Sequence, residues 1–258
     1  MPLGLAVDEK GQHLFVSDGK NNRVMICNIR PEVLKNGPEA IGVLGQKDFN
    51  NTAPQDGAMD LFDPGRFIFD QAYQQLFVVD YQHKRVLVFD VDRQRFSNGA
   101  TAINVIGQAN FSSNTTSLDR NTKVDGKHIY SSNGIAFDAG QQLLYAADGS
   151  ETYNNRVDRA LVFDVHPKRL QNGGEAIAAI DAQSAETPVS NVFGGPESYF
   201  GQFTIRDTRG IVLGAQKGRL FTTGSFESRV VVFYFPRASW KYVVDARGYA
   251  IIQHIRCS

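Results

Sequence analysis

The chain has 258 residues, 42% hydrophobic and 21% charged, so it can bury a large core and is not a disordered sequence. Lysine plus arginine equals aspartate plus glutamate at 27 each, and this zero net charge argues against nucleic acid as the partner. No apolar run reaches the ~20 residues of a membrane-spanning helix, and Cys27 and Cys257 form neither a disulfide framework nor a metal motif.

The beginning of the sequence leaves the compartment open. Met1-Pro2-Leu3 leads directly into a predicted strand rather than a secretion leader. Two interpretations remain: a secreted or periplasmic protein whose leader was removed, or a chain that starts here.

A pattern of four short apolar strands recurs along the chain, with Gly, Asp and Asn between the strands. The four units cover residues 3–46, 65–108, 133–180 and 209–245, followed by a tail at 246–258. In the clearest unit the predicted strands are 66–70, 75–80, 85–90 and 102–108. The last unit has a weak fourth strand within 240–244, and 249–255 predicts one further strand.

The repeat predicts an all-β fold. A small antiparallel sheet cannot cover its own apolar face, and packing such sheets radially as the blades of a β-propeller solves this problem. We therefore expect one propeller domain over residues 1–258. A ring of four blades, a ring with a fifth partial blade and a part of a longer propeller all stay open.

The corner between the second and third strands carries a motif that resembles NHL repeats. It reads Asp18-x-x-Asn21-Asn22-Arg23-Val24 in the first unit and Asp80-x-x-His83-Lys84-Arg85-Val86 in the second, with Asp148 and 154–157 in the third. Gly-Leu-Ala-Val-Asp openings and Val-Leu-Gly-Gln or Val-Ile-Gly-Gln endings add to the resemblance, which is weakest in the last unit. It implies a propeller that holds a protein, peptide or carbohydrate partner.

Long connections join each unit to the next, at 47–64, 109–132 and 181–208. Because antiparallel strands alternate in direction, these links share one edge of the sheets with the corners between strands two and three. Long loops without regular structure are usually functional. This edge, called the top edge below, is where we expect a site.

Charged residues at the corners are the first candidates for ligand binding. Asp18, Asp80 and Asp148 are expected to face Arg23, Arg85 and Arg156. A pair repeated in each unit favours a clasp that holds backbone groups, although Asp80 and Asp148 also remain candidates for ligand contacts.

Residues at the start of the innermost strands are the second group: Arg66, Asn133 and Arg209. Two arginines and an amide suit an anionic or polyhydroxylated ligand. Ordinary residues solvated by water are the alternative.

Aromatic and histidine side chains on the long loops and corners are the third group: Tyr81, His83, His128, Tyr130, Tyr153, Tyr199 and Phe200. Aromatic rings offer stacking surfaces, while loop packing is the alternative. His83 and His128 could act as a general base or a metal ligand, but no paired-histidine spacing supports a metal. By contrast, Asp8, Asp70 and Asp138 are predicted to be turn residues at the opposite edge.

These patterns favour a binding propeller with no evident cofactor. The chain lacks the Gly-x-Ser-x-Gly motif and a phosphate loop, so the catalytic residues of any enzyme stay unknown. The alternative is a hydrolase or lyase at the channel mouth, by analogy with propellers resembling lactonases, strictosidine synthase and amidating lyases. That alternative implies a calcium ion held by side-chain oxygens. RNA binding, known for some NHL domains, ranks third because of the zero net charge.

Overall fold

The computed structural model describes residues 2–34, 36–54, 56–92, 94–114, 125–149, 158–180, 208–214, 219–224, 229–234, 243–244 and 250–251. Within these ranges every regular element is a β-strand, apart from one 3-10 turn at Gly19–Asn21. The all-β prediction is confirmed. No helix in the described part is long and apolar enough to cross a membrane.

The first compact unit comprises Met1–Asn114 and Gln171–Gly173. Its first sheet contains β1 (Leu5–Asp8), β2 (His13–Asp18), β3 (Arg23–Asn28) and β4 (Ala40–Leu44). Its second sheet contains β5 (Pro64–Asp70), β6 (Gln75–Asp80), β7 (Arg85–Asp90) and β8 (Asn104–Ile106). In both sheets the strands pair antiparallel in chain order, as the repeat predicts.

Alternating apolar residues explain why these two sheets pack together. Phe15 and Ile26 on the first sheet share a buried cluster with Leu76, Val78 and Leu87 on the second. Side chains alternate between the two faces of a strand, so one apolar face of the first sheet meets one face of the second. Each sheet alone would leave that face in water.

The second compact unit comprises Thr115–Leu170 and Gly174–Ser258. Its third sheet contains β9 (Ser132–Asp138), β10 (Leu143–Gly149), β11 (Asp158–Asp164) and β12 (Ala178–Ile180). Its fourth sheet contains β13 (Thr208–Gly214), β14 (Arg219–Gly224) and β15 (Arg229–Tyr234). Buried side chains from both sheets form one core, including Tyr145, Val162, Ile211 and Leu220.

The last unit departs from the predicted four-strand pattern. Val243–Val244 forms β16, but it pairs with β17 (Ala250–Ile251) rather than with β15. Strand β17 in turn pairs parallel to β12 and so extends the third sheet. The placement of 240–244 as the fourth strand of the last sheet is therefore wrong, because β17 pairs with the open edge of β12 and β16 pairs with β17. The further strand predicted in the tail is confirmed at Ala250–Ile251.

The hairpins between first and second strands confirm the turn prediction. Asp8, Asp70 and Asp138 accept hydrogen bonds from backbone N–H groups two or three residues further on, at 2.7–2.9 Å. In this arrangement the side chain closes the turn.

The links between third and fourth strands form a single helical turn. Leu34, Phe96 and Leu170 each donate a backbone hydrogen bond to the carbonyl four residues earlier. Each turn is followed by an Asn-Gly pair whose glycine is left-handed: Gly37 (φ 71°), Gly99 (φ 70°) and Gly173 (φ 66°). Glycine adopts this conformation without a steric cost.

Candidate functional site

The corner of the second sheet holds a buried ion pair. Asp80 ends β6 and Arg85 begins β7, and the register places them directly opposite each other. Both side chains are fully buried, and Arg85 Nε donates to Asp80 Oδ2 at 2.7 Å. A charge-assisted hydrogen bond in a buried site is strong and fixes both groups.

The same pair fastens the long links to the corner. Arg85 Nη2 donates to the carbonyl oxygens of Gly57 and Asp60 at 3.1 Å each, and Nη1 donates to the carbonyl of Phe111. Asp80 Oδ1 accepts from the backbone N–H of Phe62 at 2.8 Å. The link after β4 and the link after β8 therefore lie at the top edge, as predicted.

His83 lies between two carboxylates. Its Nδ1 is 2.8 Å from Asp80 Oδ2 and 3.3 Å from Arg85 Nη2. Because the carboxylate oxygen is nearer and can only accept, we place a proton on Nδ1, which donates to Asp80. Its Nε2 is 3.1 Å from Asp56 Oδ1. The His83 side chain is 5% exposed, whereas Asp56 is 72% exposed. The second ring nitrogen thus faces a loop carboxylate that lies in water.

The neighbouring carboxyl of Asp60 differs from an ordinary surface acid. Burial raises its pKa above the usual range, although the positive charge of Arg85 acts in the opposite direction. A carboxyl with a raised pKa near a histidine is a common feature of functional sites and also of structural networks.

The first sheet repeats the clasp with one substitution. Arg23 Nε donates to Asp18 Oδ2 at 3.0 Å, and its Nη1 donates to the carbonyl of Phe49 at 2.6 Å. Asn21 Nδ2 donates to Asp18 Oδ2 at 2.8 Å. Asn21 thereby makes the contact that His83 makes in the second sheet. Burial raises the pKa of Asp18, but the hydrogen bonds from Asn21 and Arg23 outweigh it and hold the pKa below its ordinary value.

The third sheet corrects one predicted partner. Asp148 lies opposite Arg159, not Arg156, and accepts from Arg159 Nε at 3.0 Å. It also accepts from the backbone N–H groups of Tyr130 and Ser131 at 2.8 and 3.0 Å. The repeat motif favoured Arg156, but β10 runs to Gly149 and β11 begins only at Asp158, so the longer corner moves the arginine. Arg156 itself lies outside the described residues.

His128 and Tyr130 lie next to the Asp148–Arg159 pair of the third sheet. His128 Nδ1 is 2.8 Å from Asp125 Oδ2, and its carbonyl accepts from Arg159 Nη2 at 3.0 Å. Tyr130 is buried, which raises the pKa of its hydroxyl to about 12. The Arg159 guanidinium lies 5.9 Å from the Tyr130 ring centroid. Both residues pack against the clasp.

The second group of candidates shares a local irregularity at the start of the first strand of the second, third and fourth sheets. Pairing shifts between Pro64 and Phe67 in β5, and between Thr208 and Ile211 in β13, so Arg66 and Arg209 each lie in a β-bulge. In β9 Gly134 and Ser132 pair with adjacent residues of β10, which leaves Asn133 as the bulged residue. Bulges often occur beside active sites, where they redirect a side chain.

The remaining predicted residues differ in what surrounds them. The Arg66 side chain is exposed. Tyr81 is half-buried, with Lys84 Nζ 4.6 Å from its ring centroid. The side chains of Asn133 and Arg209 lie outside the described residues, as do Tyr153, Tyr199 and Phe200 altogether.

Sequence reasoning missed the amides that complete the corners. Gln46 Nε2 donates to the carbonyls of Asn22 and Ala53 at 3.1 Å each, and Gln108 Nε2 donates to the carbonyl of Lys84 at 3.2 Å. The repeated Gly-Gln ending was the available signal. Asp56 and Asp60 lie in the long link at 47–64, and nothing in the sequence singled out these two residues within it.

Metal ligands do not converge in the described ranges. Among those residues, no group of three or more His, Cys, Asp or Glu side chains could hold a metal ion. The calcium ion that the hydrolase alternative implies stays a prediction.

No protein-family model and no curated protein matches the chain. Its structure is similar to a candidate 6-phosphogluconolactonase from Bacteroides uniformis, with a TM-score of 0.55 at 12% identity over 97% of this chain and 55% of that one. A candidate 6-phosphogluconolactonase from Bacteroides fragilis gives 0.53 at 13% identity over 97% and 55%. The periplasmic gluconolactonase of Pseudomonas aeruginosa gives 0.54 at 12% identity over 92% and 51%.

These similarities define the class of fold. The chain has the fold of a β-propeller built from antiparallel sheets. It spans about half the length of the similar structures, at 51–55% of each.

Proposed function

We propose that this chain is an NHL-type propeller that binds an anionic, polyhydroxylated small molecule of the sugar-acid class at its top edge. One observation carries the proposal: Arg66 is exposed and lies in a β-bulge at the start of β5, at the top edge of the second sheet. The same backbone irregularity recurs at the start of β9, at Asn133, and at the start of β13, at Arg209. Guanidinium groups bind carboxylates and phosphates through two parallel hydrogen bonds.

The other described corner arginines support this choice by elimination. Arg23, Arg85 and Arg159 already donate to carboxylates and backbone carbonyls within the clasps. A ligand that used them would have to break these bonds. Arg66 is exposed and projects from an irregular segment, so it is available without that cost. The similar propellers described as acting on gluconolactone derivatives make a sugar acid the first ligand to test, ahead of a peptide or protein.

We expect Arg66→Ala to weaken binding of gluconate or 6-phosphogluconate about tenfold or more, because a hydrogen bond to a charged group contributes about 1.5–3 kcal/mol. Titration calorimetry measures the affinity, and thermal unfolding checks the fold. Arg95→Ala is the matched control, since Arg95 is also exposed but pairs with Asp90 at the opposite edge of the sheet. Equal affinity in the wild type and Arg66→Ala, or no binding of either acid, would rule out the proposed site.

A second candidate function is hydrolysis of the lactone of such an acid. His83 favours it, because a buried carboxylate holds Nδ1 while Nε2 faces the exposed Asp56. An imidazole oriented in this way can take a proton from water when the Asp56 side chain moves aside. The calcium ion implied by the enzyme alternative remains a prediction, and no step of this candidate depends on it.

The corresponding residue in the first sheet, Asn21, suggests a substitution of His83 that removes the imidazole but keeps the hydrogen bond to Asp80. His83→Asn keeps a side-chain amide that can donate to Asp80, as Asn21 does to Asp18. We expect gluconolactone hydrolysis, followed by pH-stat, to fall about 100-fold or more, since general-base catalysis contributes about 10²–10⁴-fold. The melting temperature should change little.

The reverse substitution provides the control. Asn21→His places an imidazole in the first sheet and should leave the hydrolysis rate unchanged. Repeating the hydrolysis assay with a chelator tests whether the reaction needs a metal ion. Full activity in His83→Asn would reduce His83 to a structural residue and leave only the binding function.

A further inference from the structure

The links between third and fourth strands, called the short links below, each end in an Asn-Gly pair that can react chemically. In such a pair the backbone nitrogen of the glycine can attack the side-chain carbonyl carbon of the asparagine, because glycine has no side chain to block the approach and lets the backbone rotate. The attack requires that the asparagine side chain and the glycine backbone are free to move. The three pairs are Asn36-Gly37, Asn98-Gly99 and Asn172-Gly173, and their glycines have φ values of 71°, 70° and 66°.

Asn98, in the second short link, is held in place. Its Oδ1 accepts a hydrogen bond from the backbone N–H of Val43 in β4 at 3.0 Å. A Cβ built at Gly99 would lie 3.0 Å from the carbonyl oxygen of Lys47, so Gly99 packs directly on the backbone that follows β4. Asn98 can therefore reach the nitrogen of Gly99 only after this hydrogen bond and this packing are lost.

Asn172, in the third short link, is held by more contacts. Its Oδ1 accepts from the backbone N–H of Val105 at 3.0 Å and from Asn104 Nδ2 at 3.3 Å. The backbone N–H of Gly173, which contains the attacking nitrogen, donates to the carbonyl of Val105 at 3.3 Å. A Cβ built at Gly173 would lie 2.6 Å from the carbonyl oxygen of Ala109. Both groups that would have to react are thus occupied.

Asn36, in the first short link, is exposed, and so is Gly37. In the described part of the chain, no residue hydrogen-bonds the Asn36 side chain, and no atom lies within 4 Å of a Cβ built at Gly37. This pair has the same turn as the other two but lacks the contacts that hold them.

A fourth Asn-Gly pair, Asn133-Gly134, lies in β9 rather than in a short link. Gly134 pairs with Ala147 in the antiparallel ladder, so the sheet fixes its backbone. This pair provides a comparison in which a strand, instead of a turn contact, restrains the glycine.

We infer that Asn36 is a site of spontaneous deamidation, and that the fold protects the other three asparagines. The Gly37 nitrogen forms a bond to Cγ of Asn36, the bond from Cγ to Nδ2 breaks, and Nδ2 leaves as ammonia with the proton of the Gly37 nitrogen. The product is a cyclic imide. One water molecule then opens the ring at either carbonyl and gives aspartate or isoaspartate. No electrons are transferred, and water is the only other reactant.

Deamidation replaces a neutral amide by a carboxylate, so the chain gains one negative charge over its net charge of zero. The first short link lies at the edge opposite the top edge, because β3 runs away from the corner where Asp18 faces Arg23. We therefore expect gluconate binding at the top edge to be unchanged. The melting temperature should also change little, because Asn36 holds no described strand.

Peptide mapping by mass spectrometry tests this inference on the wild-type chain, incubated at mildly alkaline pH both folded and in concentrated urea. In the folded protein Asn36 should convert about tenfold or more faster than Asn98 and Asn172, because a held asparagine must first lose a hydrogen bond and its packing. In urea the three short links should convert at similar rates, since all three pairs are then free. Asn133 should convert slowly only while the protein is folded.

Asn36→Gln is the matched variant, because attack on its longer side chain would have to close a larger, less favourable ring. The acidic species that ion-exchange chromatography separates from the aged wild type should be absent from this variant, which should melt at the wild-type temperature. Equal rates at Asn36 and Asn172 in the folded protein, a folded Asn36 that stays intact while it converts in urea, or no conversion in either state would each overturn the inference. Gluconate binding is measured separately, so failure of this inference does not decide the proposed function.

Discussion

Asp80→Ala should lower the free energy of unfolding by about 3–5 kcal/mol, the usual cost of removing one partner of a buried ion pair. The substitution leaves the buried Arg85 guanidinium without its carboxylate, and it also removes the acceptor for His83 Nδ1 and for the Phe62 N–H. Urea unfolding followed by circular dichroism measures the effect. We expect the midpoint to fall with little change in the slope, because the surface exposed on unfolding stays the same.

Two other acidic residues form a graded control for this prediction. Asp18→Ala breaks the corresponding pair in the first sheet, where both side chains are partly exposed, so its effect should be smaller. Asp90→Ala breaks a pair with the exposed Arg95 and one hydrogen bond from the backbone N–H of Asp92, so its effect should be the smallest of the three. Equal losses of unfolding free energy in all three variants would show that burial does not strengthen the Asp80–Arg85 pair.

Gly45→Ala is the second substitution with a large expected effect. Gly45 follows β4 with φ 83°, and a non-glycine residue in the left-handed region costs about 1–2 kcal/mol. A Cβ there would also lie 2.5 Å from Cδ1 of the fully buried Leu61, and such overpacking costs about 1–3 kcal/mol more. Thermal and urea unfolding should show a protein that is markedly less stable than the wild type.

Gly37→Ala separates the two causes. Gly37 has a similar φ of 71° but open space around the new methyl group, so only the backbone cost of about 1–2 kcal/mol applies. Equal losses at Gly45 and Gly37 would show that Leu61 moves aside without cost.

The repeating corners show how far a sequence motif reaches. The spacing of Asp80 and Arg85 predicted a clasp, and the structure places the two side chains opposite each other with a 2.7 Å hydrogen bond. The same spacing rule failed for Asp148, whose partner is Arg159. The spacing in a motif predicts the paired residues only if the corner between the two strands has the same length in each repeat. In the longer corner of the third repeat, the register between β10 and β11 places Arg159 opposite Asp148.

The contacts of His83 illustrate the other limit. Its position in the repeat is visible in the sequence, and the sequence raised the question of a general base. The contact with Asp56 depends on how the link after β4 folds back onto the next corner. That path is set by the hydrogen bonds from Arg85 to Gly57 and Asp60, which join residues far apart in the chain.

By itself the sequence determined the class of fold, the first three four-stranded repeats, the turns and the edge at which the links after β4 and β8 lie, because these follow from local alternation of apolar residues and from turn chemistry. Only the tertiary structure decided the pairing of Val243–Val244 with β17 and the bulges at Arg66, Asn133 and Arg209. These features depend on which strand edges pair with each other. Pairing between segments that are far apart in the chain does not produce a periodic pattern in the sequence.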